Sequence, residues 1–231
     1  MRKLLFFSLI LIVSNFKIYS QSDSIFEAKL TGCTYVENRS YRGDQFLTAD
    51  WVTGDVYLST GEIVCNKKFK YNGLQDELIW LNTKIPGVFC IDKSIISEFH
   101  FGDVNGVERK FVKINMNDSV GAKKQDVFVE ELVKGKISLY VQRKIIVSDV
   151  MMIERDRKLY PLNFLSSMPV YFIHINSNFI KLPKLNKSAF YNLFSQNKND
   201  LKKAVNKNNV DLRTENGLAF MIQMMNSNMT N

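Results

Sequence analysis

Apolar and polar positions alternate along most of the chain between about residues 46 and 182. In "WVTGDVYLSTGEIVCNKKFKY", apolar residues recur at a spacing of two on both sides of Ser59-Thr60-Gly61. This spacing places every second side chain on one face of a strand, and a glycine-containing segment between two such runs marks a turn. The pattern predicts a β-hairpin.

The same alternation returns in four further segments, each with its own turn residues. "IISEFHFGDVNGVERKFVKI" bends at Asn105-Gly106, a pair that favours the positive φ angles of a two-residue hairpin turn. The other three bend at Lys134-Gly135, near Arg155–Arg157 and near Asn176–Asn178. Connections this short join antiparallel neighbours. We expect one antiparallel meander, curled into a half-barrel or roll so that it buries its apolar face.

The stretch "KFKYNGLQDELIWL" combines a turn with an acidic pair. Tyr71 closes one strand and Asn72-Gly73 begins the turn. Asp76 and Glu77 are expected to stabilise this turn and keep it soluble. Leu78 to Leu81 are apolar on both faces, which predicts a centrally placed strand.

After residue 184 the apolar spacing changes to three and four, which indicates helices. We predict three short helices at about 188–195, 199–207 and 214–226, with N-caps at Asn186 or Ser188, Asn199 and Thr214. Helices this short are not stable alone, so they should dock on the sheet. The predicted fold class is mainly β (α+β), with two or three short C-terminal helices on an antiparallel sheet.

The N-terminus "MRKLLFFSLILIVSNFKIYSQ" has a basic start, a short apolar run and a small residue at Ser20. These features predict a secretory signal peptide at 1–20. A weakly ordered segment at 21–45 follows, then a β-rich domain at 46–183 and a helical tail at 184–231 packed on the same domain. We expect an exported protein, periplasmic or outer-membrane associated, without a transmembrane segment after signal cleavage.

The net charge gives little support to nucleic-acid binding. Removing Arg2, Lys3 and Lys17 with the signal peptide leaves 28 basic residues against 23 acidic ones, a net charge of +5. A mixed surface of this kind is ordinary. The concentrated basic feature is the tail, with Lys184, Lys187, Lys198, Lys202, Lys203 and Lys207. We interpret these lysines as the solvated side of the docked helices; contact with anionic headgroups or an acidic partner is the alternative.

Several segments together are similar to a family of exported proteins. "FLTADWVTGDVYLSTGEIVCNKKFKYNGLQDELIWL", "KSIISEFHF", "LVKGKISLYVQ" and the tail from "IKLPKLNKSAFYNLF" to "MIQMMN" resemble, in this order, uncharacterised exported proteins of Bacteroidetes-type bacteria. The resemblance covers about residues 46–226 and implies a β-rich body with a helical tail. It implies no activity, cofactor or catalytic residue. Met224-Met225-Asn226 stands where the family has Tyr-Tyr-Asn.

Three cysteines, Cys33, Cys65 and Cys90, allow at most one internal disulfide and leave one thiol. Their spacing matches no metal site. We expect all three to be small buried apolar residues, and the spacing does not decide whether any two of them pair.

The familiar active-site designs are missing from the sequence. His100 and His174 lie in alternating strands, without a GxSxG elbow or a recognisable cysteine nucleophile. Asp76 and Glu77 are adjacent and would point to opposite faces of a strand, so they cannot form a glycosidase pair; Asp50 and Asp55 are further candidates. Two isolated histidines do not make a zinc site, and no phosphate loop occurs. We therefore assign no catalytic, cofactor-binding or metal residue.

These observations favour a non-catalytic binding or accessory module of the cell envelope. Its partner would be another envelope protein or an anionic envelope surface. Two alternatives stay open: a hydrolase acting on an envelope polymer, and a carrier of a small apolar ligand inside the curled sheet. An adaptor should present an exposed apolar patch or a basic face. An enzyme should present converging ionisable groups, and a carrier a closed apolar cavity.

Overall fold

The structure is a computed structural model that describes residues 29–37, 40–102, 106, 108–117, 124–182 and 185–228. Its larger sheet has 11 strands in the order β1-β6-β5-β4-β3-β7-β8-β9-β10-β13-β14, and β11, β12 and β2 form a separate three-stranded sheet. The strands are β1 Gly32–Thr34, β2 Tyr41–Arg42, β3 Val52–Leu58, β4 Ile63–Asn72, β5 Glu77–Asn82, β6 Gly87–Ile91, β7 Ile96–Gly102, β8 Glu108–Asn117, β9 Lys124–Val133, β10 Ile137–Gln142, β11 Ile145–Arg155, β12 Lys158–Ser167, β13 Val170–Ile175 and β14 Asn178–Leu182. The helices are α1 Lys187–Leu193, α2 Lys198–Lys207 and α3 Glu215–Asn228.

The five predicted hairpins are present, and local turn chemistry explains four of their bends. Left-handed backbone occurs at Gly61, Gly106, Asp156-Arg157 and Asn176-Ser177. The last two pairs have positive φ at both central residues, as a tight hairpin turn with right-handed strand twist requires. The predicted signal peptide and Asn105 lie outside the described residues. The described part of the segment 21–45 contributes β1, which pairs with β6, and β2.

The large sheet is strongly curled. Tyr71 on β4 and Phe111 on β8 are three strands apart, which would separate them by roughly 14 Å in a flat sheet. Their ring centroids are 5.2 Å apart. The concave face therefore closes on an aromatic core that also contains Phe99 and Phe128. The sheet is open, with β1 at one edge and β14 at the other. The predicted fold class is confirmed: a large curled antiparallel sheet with short C-terminal helices.

The strand β5 lies between β4 and β6, as its two apolar faces predicted. Leu78 and Ile79 are fully buried, and Trp80 is nearly so. The turn before β5 differs in detail from the prediction. The left-handed residue is Asp76, with φ of 57°, and the Asn72 side chain accepts the N–H groups of Leu74 and Gln75.

The three helices cover the other end of the concave face. Leu201, Val205, Leu218, Met221 and Ile222 pack with apolar residues of β9, β10 and β13 in one buried cluster. Two predicted caps are present: Asn186 accepts the N–H of Ala189 at 2.7 Å, and Thr214 accepts that of Gly217 at 3.1 Å. The predicted cap at Asn199 is wrong, because α2 begins at Lys198 and follows directly on a 3-10 turn.

The helix α3 is attached to β10 through Asn226. Its Nδ2 donates to the carbonyl of Ile137 at 2.8 Å, and its Oδ1 accepts the Ile137 N–H at 2.9 Å. The amide thus substitutes for a neighbouring strand at the start of β10.

A buried ionic network joins β8, β9 and α3. Glu130 accepts two bonds from Arg109, each at 2.7 Å, and a third from Arg143. Arg143 also donates to both carboxylate oxygens of Glu215, at 2.8 and 2.9 Å, and the Tyr171 hydroxyl donates to Glu215 at 3.0 Å. Burial acts to raise the pKa of Glu130, but the two guanidinium groups hold it below its ordinary value.

The hairpin β11–β12 leaves the large sheet, which corrects the predicted single meander. It follows β10 in the chain, yet β10 pairs with β13 and the hairpin pairs with β2. The departure occurs where the chain passes Gly73: the Ile145 N–H donates to the Gly73 carbonyl at 2.9 Å. A Cβ at Gly73 would lie 2.3 Å from the Arg143 carbonyl oxygen, so only glycine fits this approach.

Removing Arg143 should destabilise the protein, because Glu215 would lose its cationic partner and Glu130 would lose one of its two. We expect Arg143→Met to lower the free energy of unfolding by about 3 kcal/mol in urea denaturation. Arg213→Met is the matched control, since Arg213 pairs with Asp211 at the exposed surface and its removal should leave the stability nearly unchanged. Equal losses in both variants would contradict a central role for the network.

The lowered pKa of Glu130 predicts a pH dependence. Its stabilisation is complete above the unfolded-state pKa of about 4.3 and is lost as the pH falls through the lower folded-state value. As the pH falls below about 4.3, stability should therefore fall more steeply in the native chain than in Glu130→Gln, which cannot titrate at this position. Urea titrations at several pH values measure this slope. Glu154→Gln, at the exposed hairpin tip, should retain the native slope.

Candidate functional site

The hairpin β11–β12 exposes large apolar side chains along most of its length. Val150, Met151 and Met152 are 52%, 51% and 54% exposed, and Leu159 is 64% exposed. Val147, Ile153 and Tyr160 also have large exposed surfaces. We refer to β11 and β12 together as the apolar hairpin.

Both faces of the apolar hairpin are apolar. The register pairs Met151 with Leu162 and Ile153 with Tyr160 on one face. The opposite face carries Val150, Met152 and Leu159. An isolated two-stranded hairpin is at best marginally stable in water, so this ribbon is suited to burial between other surfaces.

Among the described residues, no strand pairs with the outer edge of β11. The two-residue turn at Asp156-Arg157 makes Arg155 and Lys158 a hydrogen-bonded pair, so the alternate residues Val150, Met152 and Glu154 direct their backbone groups away from β12. The bond from the Asn163 N–H to the Ser40 carbonyl on the β2 side agrees with this alternation. The Asp149 carboxylate accepts the Val150 N–H, so Met152 and Glu154 are the central edge positions.

Both histidines lie on the face of the sheet opposite the aromatic and helix-covered clusters. His100 lies between two carboxylates, with Nε2 at 2.5 Å from Glu98 and Nδ1 at 3.0 Å from Glu108, and its ring packs on Tyr57. Lys110 binds the second oxygen of Glu98 at 2.7 Å and, with His100, holds the Glu98 pKa below its ordinary value against the effect of burial. His174 packs on Phe179 with ring centroids 4.5 Å apart. Ser138 lies opposite His174 in the β10–β13 register, but among the described residues no hydrogen bond joins either histidine to a serine or cysteine side chain.

The acidic pair Asp76–Glu77 is separated by the fold. The prediction that Asp76 keeps the turn soluble is wrong: its carboxylate is mostly buried, with 13% of the side chain exposed. It accepts the Tyr71 hydroxyl at 2.6 Å, the Lys93 ammonium at 2.7 Å and the Phe128 N–H at 3.3 Å. Glu77 is half-buried at the start of β5.

Asp76 completes the edge of β9. The strand β10 pairs with β9 only from Glu130 to Val133, which leaves the Phe128 N–H without a strand partner. Asp76 accepts this donor, and Lys93 donates to the Asp126 carbonyl at 3.2 Å. Burial raises the pKa of Asp76 although Lys93, Tyr71 and Phe128 act to lower it, and burial beside Asp76 raises that of Tyr71 well above its ordinary value. The Asp76 carboxylate is buried and joins the β4–β5 turn to β9, so we assign it a structural role in the curl of the sheet.

The other candidate residues are structural or exposed. Asp55 accepts the Asn66 N–H at 2.8 Å where the left-handed Asn66 bends β4, and Asp50 is exposed. The tail lysines within the described residues are exposed on α1 and α2, as predicted, namely Lys187, Lys198, Lys202, Lys203 and Lys207. Lys184 lies outside the described residues.

The cysteines are not buried apolar residues, which corrects the prediction. Cys33 and Cys65 are exposed, and Cys90 is half-buried. The sequence could not show this, because Cys33 lies on a three-residue edge strand that forms only by pairing with β6.

Across the described residues, no group of three or more histidine, cysteine, aspartate or glutamate side chains is arranged to hold a metal ion. None of the helices described is both long enough and apolar enough to cross a membrane. No family model, curated protein or solved structure matches this chain. The resemblance to exported Bacteroidetes-type proteins stays a prediction.

Sequence reasoning identified the apolar hairpin as a hairpin but missed its exposure. Two signals were present. Four apolar residues follow one another at Val150–Ile153, where a sheet with one wet face would alternate, and the strands have 11 and 10 residues. Typical strands have about five or six. A long ribbon without alternation indicates a segment buried on both faces by something outside the sheet.

The Asp76–Lys93 pair should show strong energetic coupling, because each ion is half or more buried and would lose its partner. We expect Asp76→Asn and Lys93→Met each to destabilise the protein, and the double variant to lose less than the sum by about 1–3 kcal/mol. Urea denaturation of the four proteins measures this coupling. The exposed pair Asp200–Lys203, treated in the same way, should couple by less than about 0.5 kcal/mol. Similar coupling in both cycles would show that Asp76 is not a special constraint.

Proposed function

We propose that this chain is a non-catalytic binding module of the bacterial cell envelope, and that the apolar hairpin binds a partner protein. The observation that carries the proposal is the exposure of apolar side chains on both faces of one protruding ribbon. Contiguous apolar surface of this kind marks interaction sites on soluble domains. The export and envelope location rest on the N-terminal signal and on the family resemblance.

The chemistry of the hairpin favours a protein over a lipid surface as partner. A strand edge with unpaired N–H and C=O groups is unstable in hydrocarbon, where water cannot satisfy them. A partner strand added to β11 would bond the outward groups of Met152 and Glu154, and its side chains would cover the apolar faces. The turn carries Glu154, Arg155, Asp156, Arg157 and Lys158, which keep the tip soluble at the rim of such an interface.

The base of the hairpin is held rigidly, which suits a binding element. Arg143, two residues before β11, is fixed by Glu130 and Glu215, and Ile145 is bonded to Gly73. A preorganised ribbon loses less conformational entropy on binding than a flexible loop. The exposed lysines of α1 and α2 support one competing reading, in which an anionic envelope surface is the partner.

Photo-crosslinking in the native envelope tests the proposal. A photoreactive amino acid replaces Tyr160 in the full chain, and crosslinked products are separated and identified by mass. We expect a protein adduct whose yield falls roughly tenfold, equivalent to about 1.4 kcal/mol of binding energy, when Met151, Met152 and Leu159 are all changed to Thr. Threonine favours strands, so the ribbon itself should persist.

Two comparison variants make the test specific. Val36, Ile63 and Ile85 are exposed apolar residues elsewhere, and changing all three to Thr should leave the yield unchanged. Met152→Pro removes one outward N–H without breaking a bond to β12, so it should reduce the yield if the partner adds a strand. Adducts to lipid alone, equal losses in both triple variants, or no adduct at Tyr160 would overturn the proposal.

A further inference from the structure

The strands β1 and β6 place two cysteines directly opposite each other. Their antiparallel register pairs Cys33 with Cys90. Backbone bonds flank this pair on both sides: the Tyr35 N–H donates to the Val88 carbonyl at 2.8 Å, and the Asp92 N–H donates to the Thr31 carbonyl at 2.9 Å. Hydrogen-bonded pairs alternate along an antiparallel ladder, so Cys33 and Cys90 occupy such a pair.

The backbone geometry of this pair matches that of a disulfide. Opposing Cα atoms in a hydrogen-bonded pair are about 5.5 Å apart, within the range of about 4.4–6.8 Å found for disulfides. Directly opposed residues project their Cβ atoms to the same face, so the two thiols lie side by side. Gly32 keeps the strands close, since a Cβ there would lie 1.9 Å from the Cys90 carbonyl oxygen.

The pair is accessible from solvent. Cys33 and Cys90 line an open cavity of about 510 Å³ together with Gln75, Glu77 and Lys93. Cys33 is exposed, so an incoming disulfide can reach its sulfur. Cys65 lies on β4, which pairs with β3 and β5 and therefore faces neither of the other cysteines.

We propose that Cys33 and Cys90 form a disulfide bond that fastens β1 to β6. The oxidant is a protein of the thiol–disulfide exchange class, which donates its own disulfide. The Cys33 thiolate attacks one donor sulfur, forming a mixed disulfide and releasing a donor thiolate. Cys90 then loses its proton to solvent and attacks the Cys33 sulfur, and the second donor thiolate leaves. Two electrons pass to the donor, which ends as a dithiol.

The surroundings of Cys90 favour a permanent bond over a catalytic one. Burial, with Glu77 and Cys33 nearby, raises the pKa of Cys90 to about 12. Redox-active cysteines have lowered thiol pKa values, and a thiol of high pKa is a poor leaving group in exchange. Exchange that releases the Cys90 thiolate is therefore slow, which suits a structural bond more than a catalytic one. Its structural effect is to hold a three-residue strand on the exposed edge of β6, where pairing with another chain would otherwise be possible.

Thiol counting on the full chain tests the bond without any variant. The protein is exposed to oxidised glutathione, denatured, alkylated and mapped by peptide mass. We expect one alkylated cysteine, Cys65, and a linked peptide pair containing Cys33 and Cys90. Three alkylated cysteines after oxidation, or a linkage through Cys65, would overturn the proposal.

Thermal unfolding tests the stabilising effect. Adding a reductant should lower the unfolding midpoint of the oxidised native chain by roughly 5–15 °C, because the unlinked chain gains conformational entropy on unfolding. Cys65→Ala should behave like the native chain. Cys33→Ala should lack the response to reductant, while an equal response in Cys33→Ala would show that another bond is responsible.

Discussion

The curl of the large sheet depends on one buried carboxylate. Asp76, in the turn between β4 and β5, accepts the hydroxyl of Tyr71, the ammonium of Lys93 and the N–H of Phe128. These partners lie on separate parts of the chain, and Phe128 belongs to a strand four positions away in the sheet. The bonds cover the stretch of β9 that β10 leaves unpaired. A side chain thereby closes the roll where a barrel would use another strand, and the aromatic core is enclosed beneath it.

The apolar hairpin leaves the sheet beside this closure. The carbonyl of Gly73, in the same turn as Asp76, accepts the N–H of Ile145. Arg143 is fixed nearby by Glu130 and Glu215. Because Glu215 begins α3, one ionic network joins the sheet, the helical tail and the base of the hairpin. The exposed ribbon is thus anchored at its base by a buried ionic network, while its own strands have few contacts with the body. A rigid base and an uncovered apolar ribbon are the two features on which the proposed binding role rests.

Sequence reasoning succeeded where the physics is local. Alternation located the hairpins, positive-φ residues marked their bends, and helical spacing with Asn186 and Thr214 located the tail. It failed where distant segments decide the outcome. The sequence predicts a solvent-exposed turn residue at Asp76, because its neighbours are turn residues. Its burial arises only when β9 packs over the turn. Cys33 and Cys90 are 57 positions apart, and only the pairing of β1 with β6 places them together.

The sequence by itself determined the class of structure: an antiparallel β body with a short helical tail, because strand and helix periods and turn preferences are properties of neighbouring residues. Tertiary structure alone decided which hairpin stays outside the sheet, which carboxylates are buried and which cysteines meet. The physical reason is that burial and pairing depend on contacts between segments far apart in the chain. The apolar run and the turn residues of β11 and β12 predict a hairpin, but they do not fix whether that hairpin joins the sheet or leaves it.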